Sequence, residues 1–228
     1  MNVDELQKNF LSSYFNLRMG IAVLALLLPL VLWIGGAAQG VGIQDSMSAY
    51  YHAAAGHANA GGGLMRDFFV GILFAVGVFL YLYKGFSTLE NIVLNLAGAF
   101  AVGVAVFPME WNCGDQCQKI SVHGTCAIAL FLCIALVCIR CASETLPYLK
   151  DEKRQSRYRR IYLYLGVSMV LAPVAAFLLA VVFRRLESYT YIAEATGIAV
   201  FGVYWLVKSR ELSLSKVERM AAYRSVKD

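Results

Sequence analysis

The sequence predicts an all-α fold, a polytopic membrane bundle of six transmembrane helices with both termini cytoplasmic. Three observations carry that prediction. Hydrophobic residues make up 59% of the chain and charged ones only 15%, a balance too apolar for a water-soluble domain of this length. Apolar runs able to cross ~30 Å of hydrocarbon as helix, about 20 residues each, recur six times. They fall at roughly 19–38, 67–83, 91–107, 122–139, 161–183 and 190–207. Finally, nothing alternates like a barrel strand, and a helix satisfies its backbone groups within its own segment, as hydrocarbon requires. The 228 residues read as one transmembrane domain.

Basic residues set the predicted orientation. With six spans, the amino terminus, the 84–90 loop, the 140–160 loop and the carboxyl terminus share one side and hold 16 of the 20 Lys and Arg residues. The positive-inside bias makes that side cytoplasmic. The net charge of +5 is then a topology signal and calls for no nucleic acid. The expected partners are membrane lipids, with a homo-oligomer left open.

Taken in order, residues 3–17 place Val3, Leu6, Phe10, Tyr14 and Leu17 at helical spacing, which suits an amphipathic helix in the headgroup layer leading into span one. Asp4 and Glu5 stand where a secretory leader would be basic, so span one reads as permanent. Pro29 interrupts it. Residues 44–71 then form a polar, aromatic, glycine-rich loop with two of the three histidines, His52 and His57. Asp67 opens span two, where a carboxylate favours the positive end of the helix. Tyr81, Tyr83 and Lys84 close it as interfacial anchors.

Span three carries Asn91, Asn95, Gly98 and Gly103, a narrow polar side suited to close helix packing. The loop after it holds Cys113 and Cys117, read as a local disulfide on the oxidising side, with a metal pair as the alternative. Cys126, Cys133, Cys138 and Cys141, in or beside span four, read as small apolar packing residues. Span six has Glu194 about one turn inside the membrane. A carboxylate at that depth costs roughly 2.5 kcal/mol or more unless it faces a cavity or a partner. Either a structural pair with Arg66, Arg184 or Arg185, a bond to a tyrosine, or a functional site accounts for it. The chain closes with an amphipathic helix over 215–226, entered by a Ser215-Lys216-Val217-Glu218 capping box.

All three histidines, with Asp67, Glu110 and Glu194, fall near the outer ends of the spans, which predicts a polar pocket opening away from the cytoplasm. Three functions compete for it. In a lipid or small-amphiphile site, Ser46, Tyr50, Tyr51 and Tyr191 form walls while Arg66, Glu194 and His123 hold a polar head, with no cofactor required. In a zinc-dependent hydrolase of a lipid amide or ester, His52, His57 and His123 hold the metal and Asp67, Glu194 or His123 moves the proton. In a small-solute or ion transporter, Glu194 and Arg66 lie along a polar path.

The segment Ser48-Ala49-Tyr50-Tyr51-His52 followed by Asp67 resembles the Ser-x-x-x-His then Asp pattern of the membrane hydrolase group that includes alkaline ceramidases and the progestin and adiponectin receptors. That resemblance implies zinc-assisted hydrolysis, although the group's His-x-x-x-His on its last helix has no counterpart here. A broader resemblance rests on Ser46 to Tyr51, Arg66 to Gly71, Tyr83-Lys84-Gly85, Asn95 to Gly98, Phe107-Pro108, His123, Glu194 and Phe201 to Lys208. In these the chain is similar to a family of bacterial six-span integral membrane proteins. This implies a bacterial inner-membrane location and names no activity.

Overall fold

The computed structural model describes residues 3–53, 63–111, 121–183, 189–218 and 220, and these are mostly helical with no strand among them. Six long helices follow in order: α1 Val3–Ala38, α2 Leu64–Leu82, α3 Thr88–Val106, α4 Val122–Leu136, α5 Glu152–Phe183 and α6 Tyr189–Ser215. A short 3-10 turn, Ser48–Tyr51, lies in the first long connection. Five helical stretches are long and apolar enough to cross a membrane, those built on α1, α2, α3, α4 and α6. Large apolar side chains such as Leu27, Trp33, Phe74, Ile92, Ile128 and Leu171 stand exposed. That is how a lipid-facing surface looks, and a soluble monomer rarely tolerates it.

Each helix packs on the next in sequence, and α6 closes against α1, so the six form a ring. Helices α2 and α3 meet at Gly77 and Gly98. A Cβ on Gly77 would stand 2.8 Å from the Gly98 carbonyl oxygen, and one on Gly98 would stand 2.6 Å from that of Gly77. The two backbones touch there because neither residue has a side chain. Helix α1 passes through Pro29 unbroken and ends at Gly40, whose φ of 74° suits glycine. Val41 N–H then returns to the Gly36 carbonyl and Gly40 N–H to that of Ala37, a Schellman closure that turns the chain back over the bundle.

Several predicted boundaries shift. The expected 140–160 loop is mostly helix, because α4 continues through a π turn, Val137–Cys141, and a 3-10 turn, Ala142–Tyr148, and α5 begins at Glu152. The basic run therefore rides on the exposed first turns of α5. Asp67 does not open α2. Leu64 does, after Gly63, and Asp67 sits in the first turn. Tyr83 is no interfacial anchor, being 1% exposed and edge-on to Trp205 at 5.0 Å. Ser215 ends α6 instead of capping a new helix: its hydroxyl donates to the Leu212 carbonyl, Lys216 has φ 55°, and Glu218 turns back to Arg18. Residues 221–226 of the expected terminal helix lie outside the described residues.

Gly77→Ala should lower stability by about 1–3 kcal/mol, the usual range for overpacking, because the obstacle is backbone. Thermal unfolding of the purified chain in detergent reads this, and an unchanged midpoint would place the α2–α3 contact elsewhere.

Candidate functional site

The segment after Gly40 caps the end of the bundle away from the basic α5 turns, and it is held there by bonds to three helices. Asp45 offers its carbonyl to the Tyr191 N–H at 2.8 Å, so the first turn of α6 is satisfied by the loop. Two residues on, the Met47 N–H donates to Glu194 Oε2 at 2.7 Å. Ser46 Oγ accepts the Ala49 N–H at 3.1 Å and starts the 3-10 turn. That turn places Ser48 Oγ 2.8 Å from His123 Nε2, at the start of α4.

His123 Nδ1 lies 2.7 Å from the Phe107 carbonyl oxygen. A carbonyl only accepts, so Nδ1 carries the proton of the neutral ring, Nε2 is the acceptor, and Ser48 donates to it. The hydroxyl is thus paired with a base whose tautomer is set by a third group, an arrangement that can polarise an O–H bond. Both residues are 7% exposed.

Around this pair the aromatics form the body of the cap. Tyr50 is fully buried, donates to the Gly42 carbonyl at 3.4 Å and faces Tyr191 at 6.0 Å between rings. Burial pushes the Tyr50 phenol above its ordinary range, against the opposing bond from the backbone at Gln44. Tyr191 donates to the Pro29 carbonyl at 2.5 Å, tying α6 to α1. His52 Nε2 donates to the Met109 carbonyl at 2.9 Å, and its ring stacks on Trp111.

Ser46, Tyr50, His52, His123, Tyr191 and Glu194 therefore converge, with Ser48 as a member that sequence reasoning had only inside a motif. Arg66 and Asp67 do not enter the buried network. They pair with each other at 3.2 Å on the exposed start of α2, with side chains 46% and 68% accessible. Arg66 also lies over the Tyr51 ring at 6.0 Å, so this pair borders the cap. Glu194 accepts the Met47 backbone N–H, and of the arginines considered for it Arg66 is paired with Asp67.

Among the described residues, no three His, Cys, Asp or Glu side chains are grouped to hold a metal ion. His57, Cys113 and Cys117, along with Arg184 and Arg185, lie outside the described residues. Zinc at His123 would have to replace a hydrogen bond already made at either ring nitrogen.

Just beneath the cap lies an apolar crevice of about 30 Å³ between α1, α2, α4 and α6, lined by Leu28, Leu73, Val76, Phe131, Ile198 and Phe201 among others. Ile198 is one turn from Glu194, and Leu28 precedes the proline that holds Tyr191.

The opposite end holds a second polar cluster that sequence reasoning missed. Arg18, Glu90, Lys208 and Glu211 are each no more than 1% exposed. Lys208 Nζ donates to the Ala142 carbonyl, Thr145 Oγ1 and Glu211 Oε2 at 3.0, 2.7 and 3.0 Å. The Tyr162 and Phe86 rings lie 5.5 and 5.7 Å from it. Arg18 forks onto both oxygens of Glu218 and reaches Ser209 Oγ at 3.2 Å. The available signal was the spacing of Tyr204, Lys208 and Glu211, which puts all three on one face of α6.

Comparison with protein-family models, with curated proteins and with solved structures gave no match.

His123→Ala should destabilise the chain by about 1–3 kcal/mol, because it leaves the Phe107 carbonyl without its imidazole donor and the buried Ser48 without its acceptor. Ser48→Ala should cost less, since it orphans one ring nitrogen alone. Thermal unfolding compares the two, and equal, negligible shifts would mean that the cap is not held by this pair.

Proposed function

We propose that the chain is an integral membrane protein of a bacterial inner membrane that binds a lipid or small amphiphile at its capped, outward-facing end. In this reading α5 is the sixth span and both termini are cytoplasmic, as the positive-inside bias directs. The observation that carries the binding role is the apolar crevice set directly under the polar cap. A crevice volume of about 30 Å³ admits the edge of an apolar chain, and the ligand lies along the crevice in contact with lipid. Its polar group sits above, where Tyr51 and the Arg66–Asp67 pair form an accessible rim. Ser46, Tyr50, Tyr191, His123 and Glu194 hold that rim in place from below.

Ile198→Trp tests this. The larger side chain fills the crevice, so the folded variant should lose tightly bound lipid detected by native mass spectrometry of the purified protein. Arg66→Ala should lower retention of anionic lipids selectively. Retention unchanged in both variants would sink the reading. Near-stoichiometric zinc that disappears in His52→Ala or His123→Ala would transfer the site to the hydrolase reading instead.

A further inference from the structure

Among the described residues, the cluster at the basic end is one positive charge short. Within it, the cations Arg18 and Lys208 face the carboxylates Glu90, Glu211 and Glu218. Arg18 is committed to Glu218 and Lys208 to Glu211. Glu90 is left. Its Oε2 accepts the Phe86 N–H at 2.7 Å, while its own N–H bonds Ser87 Oγ at 3.2 Å. Among the described residues no Lys or Arg forms an ion pair with it. Capping explains why a glutamate stands at this position, but a capping carboxylate is normally at the surface, and this one is 1% exposed.

A second, separate observation points the same way. Glu211 Oε2 is saturated, receiving Lys208, Thr145 at 2.8 Å and Tyr162 at 3.2 Å. Its other oxygen, Oε1, is buried without a hydrogen-bond partner among the described residues, and so is the hydroxyl of Tyr204 on the same face of α6. Glu211 and Tyr204 are both 0% exposed. Leaving a charged acceptor and a hydroxyl unsatisfied in the interior is costly.

We propose that this cluster binds one further unit of positive charge, a proton or a desolvated monovalent cation, against Glu90 and the free oxygen of Glu211, with the Tyr204 hydroxyl as an additional ligand. One charge balances three carboxylates against two cations, and a divalent ion would overshoot with Lys208 in place. Among the neighbours, the exposed Glu144 is offset in sign by the equally exposed Arg140, and the rest are thiols and phenols. These are the Cys138 and Cys141 thiols of α4, Tyr162 of α5 and Tyr83 beyond α2. Nothing in this site depends on the lipid reading of the other end.

The test uses the full chain in detergent, in sodium or potassium chloride against the chloride of a bulky organic cation, with infrared difference spectra and thermal unfolding followed across pH. If the charge is a proton, a protonated-carboxyl band is present near neutral pH and is lost in Glu90→Gln or Glu211→Gln. The folding equilibrium constant then falls as pH rises through the pKa in the folded state, by up to about tenfold per pH unit for a single proton. If it is a cation, that band is absent, and the small cations raise the midpoint over the bulky one. Glu211→Gln and Tyr204→Phe abolish that rise. Glu90→Gln keeps an oxygen for the Phe86 N–H, so it guards against a Glu211 variant that fails to fold. A wild type with neither band nor cation response overturns the proposal, as does a band that survives both glutamine substitutions.

Discussion

Hydrocarbon supplies no hydrogen bonds, and five of these helices are long and apolar enough to cross it. Each spanning segment must be helical, and each polar side chain near a helix end must find its partner inside the protein. The cap over α1, α4 and α6 meets the requirement with backbone groups. Glu194 takes the Met47 N–H, His123 takes the Phe107 carbonyl, and Tyr191 reaches the Pro29 carbonyl. The loop from Gly40 to Ala53 is therefore positioned by the helices' need for partners as much as by its own turn chemistry. Its rigidity is borrowed from them.

The same requirement explains what could be read from the sequence. Helix number, order and approximate extent follow from apolar run length, which is a local property. The gathering of His123, Glu194, Tyr50 and Tyr191 at one end was also legible, since each span carries its polar residues to a known end. Which atom bonds which was not. Glu194 invites an arginine partner by charge, but Arg66 and Asp67 are adjacent at the exposed start of α2 and satisfy each other. No pattern in the sequence announces that an N–H three residues into a distant loop segment will take the carboxylate.

The basic end was illegible for a related reason. Arg18, Glu90, Lys208 and Glu211 lie at the margins of apolar runs, where charged residues normally snorkel into the headgroup layer. Burial came instead from the continuation of α4 past Leu136, whose π and 3-10 turns bring Ala142 and Thr145 over α6. A hydropathy profile reads that stretch as a loop because Arg140 and Glu144 interrupt it. Tyr83 fails as an anchor by the same logic, its ring being enclosed by Tyr14, Trp205 and the Arg18 guanidinium.

Both polar centres are attached to α6, and what lies between them decides whether they act together. Glu194 and Lys208 are fourteen residues apart in one unbroken helix, a separation of about 21 Å at helical rise. The interval is lined by Ile198 and Phe201 and by the apolar crevice, and none of the residues along the crevice carries a polar side chain. The crevice itself therefore offers water no side chain to bond to. Mechanical coupling would require α6 to shift as a body. Gly197 against Phe131 and Gly202 against Leu26 seat it closely on α4 and α1, and close seating of that kind resists sliding. In this conformation the fold holds two polar centres on one helix, the cap closed by backbone partners and the basic end left with the unpartnered Glu211 Oε1 and Tyr204 hydroxyl among the described residues.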